Sequence, residues 1–185
     1  MNKLKTFPKL VVAVGIVFAL TGIVAVIGGI YINSFIVQQL ESQNITTPSD
    51  ASIPDTPVNS IPTALSMADI IQQHANNSSS DLSYAELGRF AVESGDPAGT
   101  SNRDEALLDA AGNPVPNSAR NTQLTASGLI TSLSLSAMAI GASYGAIALG
   151  VAFTLLGLVI AGLGYALLGL VDEQVAERFG LQPAA

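Results

Sequence analysis

Chemistry in a protein begins with side chains that titrate, attack or ligate, and here they are few. Among 185 residues there is one histidine, His74, and no cysteine. Thiol nucleophiles, thiolate metal sites and disulfides are therefore excluded. A transition-metal site around His74 would rest on carboxylates alone. The histidine falls on a predicted short helix and reads as a partly exposed surface residue. Asp104, Glu105 and Asp109 offer the oxygen ligands calcium takes, but without EF-hand spacing; a solvated helix face accounts for them. No Gly-x-Ser-x-Gly elbow, P-loop or dinucleotide fingerprint occurs. Asn44-Ile-Thr46 and Asn77-Ser-Ser79 match glycosylation sequons, a pattern that Asn- and Ser-rich loops reach by chance. The expectation is no catalytic residue, no cofactor, no metal and no small-molecule substrate.

The elements that would have to carry such groups are apolar ones. The chain is 49% hydrophobic and 11% charged, against about 25% charged in average soluble domains. No charged residue lies between Lys9 and Glu41, or in the 51 residues between Arg120 and Asp172. Such runs are costly in water and favourable in hydrocarbon. Residues 10–32 form one expected transmembrane helix, about 35 Å long against a core of about 30 Å. Lys3, Lys5 and Lys9 before it and Glu41 after it keep the N-terminus, residues 1–9, cytoplasmic. Tyr31 and Phe35 on one side, with Phe7 on the other, suit interfacial anchoring. A cleaved signal peptide opens in the same way, but this run exceeds an apolar signal core of about 7–15 residues, and no clear Ala-x-Ala site follows.

The second charge-free stretch would make about 76 Å of helix, more than twice a span. Its first half is rich in hydroxyls (Thr125, Ser127, Thr131, Ser132, Ser134, Ser136); residues 146–171 carry only Thr154 and Tyr165 as polar side chains. One reading is a single helix whose residues 122–145 project outward and whose residues 146–171 cross, leaving 172–185 as a cytoplasmic tail. The other is two short spans turning at Gly141–Gly145. Neither span contains Asp, Glu, Lys, Arg or His, the groups on which ion and proton pathways usually depend.

Both spans carry a glycine register. Gly15, Gly22 and Gly29 are seven apart, as are Gly150, Gly157 and Gly164, and Ser136 and Ser143 extend the second series backwards. Seven residues return a side chain to nearly the same helix face, so each series predicts a groove into which another backbone can settle. Gly141-x-x-x-Gly145 and Ala25-x-x-x-Gly29 add small contacts. In lipid such close packing is a leading source of helix association. The alternative is that glycine is simply common in membrane helices.

The roughly 90 residues between the spans hold seven of the nine prolines. Residues 33–62 read as a proline-rich connector, in which 43–62 has a linker composition without material for a core. Over 63–121 three short helices are predicted: Thr63 capping a run to His74, a Ser83/Glu86 capping box opening 84–93, and 103–111 ending at Gly112. They are expected to lean on the outer half of the long helix or on a neighbouring protein. Residues 33–123 contain eleven acids against Arg89, Arg103 and Arg120, which repels nucleic acid and anionic headgroups.

The order of basic start, glycine-bearing span, proline-rich connector, Ala68-Asp-Ile-Ile-Gln-Gln-His74-Ala75, Leu82-Ser-Tyr-Ala-Glu-Leu-Gly-Arg89 and Thr125-Ala-Ser127 before the last span resembles small actinobacterial membrane proteins often labelled aromatic ring-opening dioxygenase LigA. The chain departs from them where Ile130 and Thr131 stand in the region an arginine commonly occupies. Ring cleavage calls for iron held by two histidines and a carboxylate, and one histidine is present. The chain is also similar to accessory subunits of the actinobacterial supercomplex joining a cytochrome bcc reductase to a cytochrome oxidase. The residues themselves read as an all-α membrane protein, a two-helix hairpin with an extended second helix and an extracytoplasmic loop; the resemblance implies a non-catalytic subunit in contact with lipid and integral membrane partners, in a supporting role beside redox subunits. The alternative is a free-standing envelope protein that recruits a partner through that acidic loop.

Overall fold

Both charge-free stretches are helical throughout. In the computed structural model, which describes residues 2–179, helix α1 runs Asn2–Ser42, α2 runs Ile61–Ser79 and α3 runs Ser118–Phe179. One 3-10 turn, Arg103–Glu105, is the remaining helical piece, and the described residues form isolated β-bridges but no strand. The 62 residues of α3 are one helix, so the chain does not turn at Gly141–Gly145. Of the expected tail at 172–185, α3 includes residues up to Phe179, and 180–185 lie outside the described residues.

Thr6–Ser42 and Ser118–Val171 are each long and apolar enough to cross a membrane, and only 11% of each apolar window is buried. The core helix of a soluble protein would be mostly buried. Here Val17, Leu20, Val24 and Ile27 on α1, and Leu149, Leu155 and Val159 on α3, stand exposed. At about 25 cal/mol per Å² of apolar surface, water is a poor solvent for such helices and hydrocarbon a good one. Their backbone groups are bonded within each helix, which hydrocarbon demands. The chain is a helical protein of membrane type.

It divides into two units, one formed by residues up to Ser34 and from Ala142 on, the other by Phe35–Gly141. In the second unit the core joins Leu40 of α1, Val58 of the connector, Ala64 and Ala68 of α2, and Leu133, Ala137 and Ile140 of α3. Alanines on α2 bring its backbone close to α3, and Val58 is nearly inaccessible.

This corrects the reading of 33–62 as a connector and of 43–62 as lacking core material. Residues 33–42 belong to α1, and the rest is tightly folded. The Thr47 amide donates to the Thr56 carbonyl at 3.0 Å, the Asp55 amide to the Thr47 carbonyl at 3.1 Å, and the Val58 amide to the Ile45 carbonyl at 2.9 Å. The Thr47 hydroxyl accepts from the Thr56 amide at 3.0 Å. Threonine hydroxyls and proline-fixed backbone thus replace a ladder that the prolines could not complete.

The predicted short helices reduce to one. α2 starts at Ile61, before Thr63, because Thr63 serves as the third helical residue: its hydroxyl accepts the Ser60 amide at 3.1 Å. It passes His74 and ends where Ser80 turns left-handed. The expected helix at 84–93 stops after one turn. The Ser83/Glu86 box forms, with the Ser83 amide donating to Glu86 Oε2 at 2.9 Å, but Gly88 then packs its backbone on Thr100. A Cβ at Gly88 would lie 2.6 Å from Thr100 Cα. Phe90 and Thr100 exchange two backbone hydrogen bonds at 2.9 Å, and the Ala91 amide donates to Val115 at 2.9 Å. The expected helix at 103–111 is only the 3-10 turn, because Leu107 donates to Ala91 and accepts from Val115, both at 2.8 Å. Long-range pairing outcompetes local helical preference across 88–117.

Gly88→Ala should therefore destabilise this unit by about 1–3 kcal/mol through overpacking. Gly128→Ala, on α3 with open space around it, should leave it equal or more stable, since alanine exceeds glycine in helix propensity by about 1 kcal/mol. Hydrogen exchange across 88–117 in both variants checks this.

Candidate functional site: a glycine-lined helix seam

The first unit is an antiparallel pair of helical segments, α1 up to Ser34 and α3 from Ala142. Each step of seven along α1 is matched by a step of seven back along α3. A Cβ at Gly15 would lie 2.6 Å from the Gly157 carbonyl oxygen, and one at Gly157 would lie 2.6 Å from the Gly15 carbonyl oxygen. One at Gly22 would lie 2.5 Å from the Thr154 amide, and one at Gly150 would lie 2.7 Å from the Gly22 carbonyl oxygen. At the ends, Gly29 faces Ser143 and Ile147, and Gly164 faces Val12 and Pro8. Real Cβ atoms do not come this near a backbone. The two chains therefore touch main chain to main chain, in a geometry that turns Cα–H groups toward the opposite carbonyls. From Pro8 to Gly29 the seam covers 21 steps of helix, about 32 Å, which matches a hydrocarbon core of about 30 Å.

Polar groups on the seam are self-satisfied. The Thr154 hydroxyl donates to the Gly150 carbonyl of its own helix at 2.8 Å; Thr21, exposed away from the seam, does the same to Val17 at 2.9 Å. At one end Asn33 Nδ2 donates to Ser143 Oγ across the pair at 3.1 Å, so the register's serine is a polar latch. Phe18 and Phe153 meet edge to face with centroids 5.8 Å apart.

Six of the eight glycines singled out in the sequence lie on this seam. Gly145 has nothing within 4 Å and Gly141 meets only Ile61 Cδ1 at 3.8 Å, so both lie off it. The receiving side of the seam is Ala19, Ala161, Thr154 and Val26, which the glycine spacing left unread; small residues four from a glycine, as Ala19 and Ala161 are, were the available signal. Five further small residues were missed as well. Ala148, Ala152, Gly162, Ala166 and Gly169, together with Gly145, form two runs at helical spacing on α3, on either side of Leu155 and Val159, and all are exposed.

In the second unit, sequence reasoning also missed a polar hub on the first turns of α3. Asn117, Arg120 and Gln123 stand three apart, on one face. Asn117 Nδ2 donates to the carbonyls of Gly88 at 3.1 Å and Pro97 at 3.0 Å, while its Oδ1 caps α3 by accepting the Ala119 amide at 3.0 Å. Arg120 donates to the carbonyls of Tyr84 and Leu87 and stacks on the Tyr84 ring, 3.9 Å from its centroid. Gln123 donates to Ser79 Oγ at 2.9 Å. Polar residues at i, i+3 and i+6 just after Pro116 were its signature. Ala68, Ile70, Ala75, Leu87 and Ala126 are buried in this unit.

His74 is exposed and its Nε2 lies 2.7 Å from Asp50 Oδ2. The hydrogen bond from His74 holds the Asp50 carboxyl below its ordinary value of 3.8. Asp104, Glu105 and Asp109 do not converge: Glu105 accepts from Thr100 and Asn102, and Asp109 accepts the Asn113 and Ala111 amides, which lower its pKa. Among the described residues no three His, Cys, Asp or Glu side chains gather.

Gly22→Ala and Gly157→Ala should each destabilise the pair by about 1–3 kcal/mol, whereas Gly28→Ala, in open space, should not; thermal unfolding in a mild detergent compares them. A carboxyl depressed on folding adds stability above its unfolded value and loses it as pH falls through the folded one. The small, solvent-screened contribution of Asp50 should thus be complete above pH 3.8 and fade below. Carbonyl NMR should give an Asp50 midpoint under that value, returning toward it in His74→Ala.

The chain matches no family model, and no curated protein or solved structure is significantly similar to it.

Proposed function

We propose that this chain is a non-catalytic accessory subunit that packs against the helices of a larger membrane complex. The observation that carries the reading is the second set of small residues on α3. The seam occupies Gly150, Gly157 and Gly164, yet two notches of small residues, Gly145, Ala148 and Ala152 and then Gly162, Ala166 and Gly169, remain exposed and uncharged on the same helix on either side of Leu155 and Val159. Lipid chains gain little from such a surface, whereas a neighbouring helix gains close contact. The internal pair presents α3 as a rigid strut for that contact. No Asp, Glu, Lys, Arg or His lies in 10–32 or 146–171, in keeping with a supporting rather than a transporting role.

In this reading the N-terminus is cytoplasmic and residues 33–121 are extracytoplasmic, as the lysines before α1 favour. The specific form is membership of the actinobacterial respiratory supercomplex, beside cytochrome reductase and oxidase subunits. It rests on the resemblance carried by 68–75, 82–89 and 125–127.

Native purification in a mild detergent should recover the protein with respiratory subunits, and Gly162→Leu should lower that recovery at least tenfold while the helix pair stays folded. Migration of the wild-type protein alone, beside intact respiratory complexes, contradicts the reading. Translation into microsomes reports orientation: Asn44, exposed in its sequon, should be glycosylated if the loop is lumenal and untouched if it faces the other side.

A further inference from the structure

A second register of seven runs along α3, on residues the seam does not use. Steps of seven back from Leu170 give Leu163, Leu156, Leu149, Ala142 and Leu135, and reach Gly128. Steps of seven back from Ala166 give Val159, Ala152, Gly145, Met138 and Thr131, and reach Leu124. The two lines alternate at intervals of four and three, the spacing of a coiled-coil seam. Every residue on them is exposed, whereas Gly150, Gly157 and Gly164 are buried against α1, and Leu133, Ala137 and Ile140 in the core of the second unit.

Neither water nor lipid suits the whole stripe. Leu124, Leu135 and Met138 are 57%, 64% and 72% exposed, and in the topology proposed for this chain they lie outside the bilayer. No charge occurs between Arg120 and Asp172 to solvate them. The one hydroxyl on the stripe, that of Thr131, is spent on the Ser127 carbonyl at 2.7 Å. A membrane helix of about 20 residues stops at the bilayer surface and covers only the part within it. What covers all of the stripe is an apolar helix that crosses the membrane and continues outward. α3 is such a helix.

We infer that this stripe pairs with the same stripe of a second copy of the chain, α3 beside α3, parallel and in register. A shared topology gives both copies one direction across the membrane, so a two-fold axis along the bilayer normal sets each residue opposite its own copy. A charge beside such an axis would face itself, and this stripe has none. The leucine line supplies the knobs, while Gly145, Ala152 and Ala166 let the two backbones close up. From Leu124 to Leu170 the stripe follows 46 steps of helix, about 70 Å; at a helix width of about 10 Å that is about 700 Å² per copy, against about 800 Å² per partner in stable interfaces. The inference rests on the accessory-subunit reading in one respect, that exposed small residues of α3 receive a helix, and it names that helix. Ala148, Gly162 and Gly169 lie off the stripe and remain for a partner of another kind.

Single-cysteine variants of the full-length protein, oxidised in native membranes, report the pairing. Leu135→Cys and Leu163→Cys, on the stripe, should give disulfide-linked dimers of this chain in at least tenfold higher yield than Thr125→Cys and Leu158→Cys, which are exposed but off it. Met138→Asp added to Leu163→Cys sets two carboxylates face to face and should lower that yield at least tenfold, with circular dichroism of the purified variant reporting its helices. Gly162→Leu should leave the yield unchanged. Similar yields at all four positions, no dimer from the stripe, a yield that persists in folded Met138→Asp, or cross-linking of Leu135→Cys to a different protein overturns the proposal. Dimers recovered without respiratory subunits would contradict the accessory-subunit reading and leave the pairing standing. Respiratory subunits recovered with a chain that gives no dimer would do the reverse.

Discussion

Everything in the first unit follows from the absence of a methyl group. At Gly15 with Gly157, and at Gly22 with Gly150, the main chains of α1 and α3 approach so closely that a Cβ on either side would overlap a carbonyl oxygen. Hydrophobicity cannot hold two helices together where the surroundings are equally apolar, so contact area and close approach must. The seven-residue interval repeats that contact over the thickness of a bilayer core. Because the seam consumes one face of α3, the face bearing Gly162, Ala166 and Gly169 is left free, and the proposed role follows from that division.

The second unit solves a different problem. Its irregular backbone pairs with itself only at isolated bridges, and further carbonyls converge on the amide of Asn117 and the guanidinium of Arg120. Losing either side chain would strand several acceptors at once, which is costlier than losing a single hydrogen bond. Among the described residues no buried side-chain nitrogen or oxygen lacks a partner. A small apolar core around Ile140 and Val58 completes it. The same helix, α3, therefore anchors a polar fold at its start and a dry seam farther on, and the change falls where its hydroxyl-rich sequence gives way to alanine, leucine and glycine.

Composition and period made the helices legible. The charge gaps delimited α1 and α3, and the interval of seven picked out residues that the structure sets against one another. Gly141 and Gly145 looked equivalent by type, but only rotation about the helix axis separates them from Gly150, and a list of glycines does not encode which face is already taken. The short helices failed for a physical reason. Ser83 and Glu86 form their local box, yet Gly88, Phe90 and Leu107 are claimed by partners 8 to 16 residues distant, and distant pairing leaves little trace in local pattern. The connector misled through its prolines: they signal missing ladder donors, and the threonine hydroxyls that compensate read only as polarity.

Since the native chain has no cysteine, one paired variant tests the seam directly. Val26 and Ile147 flank the same contact, beside Gly150 and Gly29 respectively. In native membranes, Val26→Cys with Ile147→Cys should form an intramolecular disulfide under mild oxidation, while Val26→Cys with Leu163→Cys, about 24 Å farther along α3, should not. Equal cross-linking of the two pairs, or none in the first, would contradict an antiparallel glycine seam in this register.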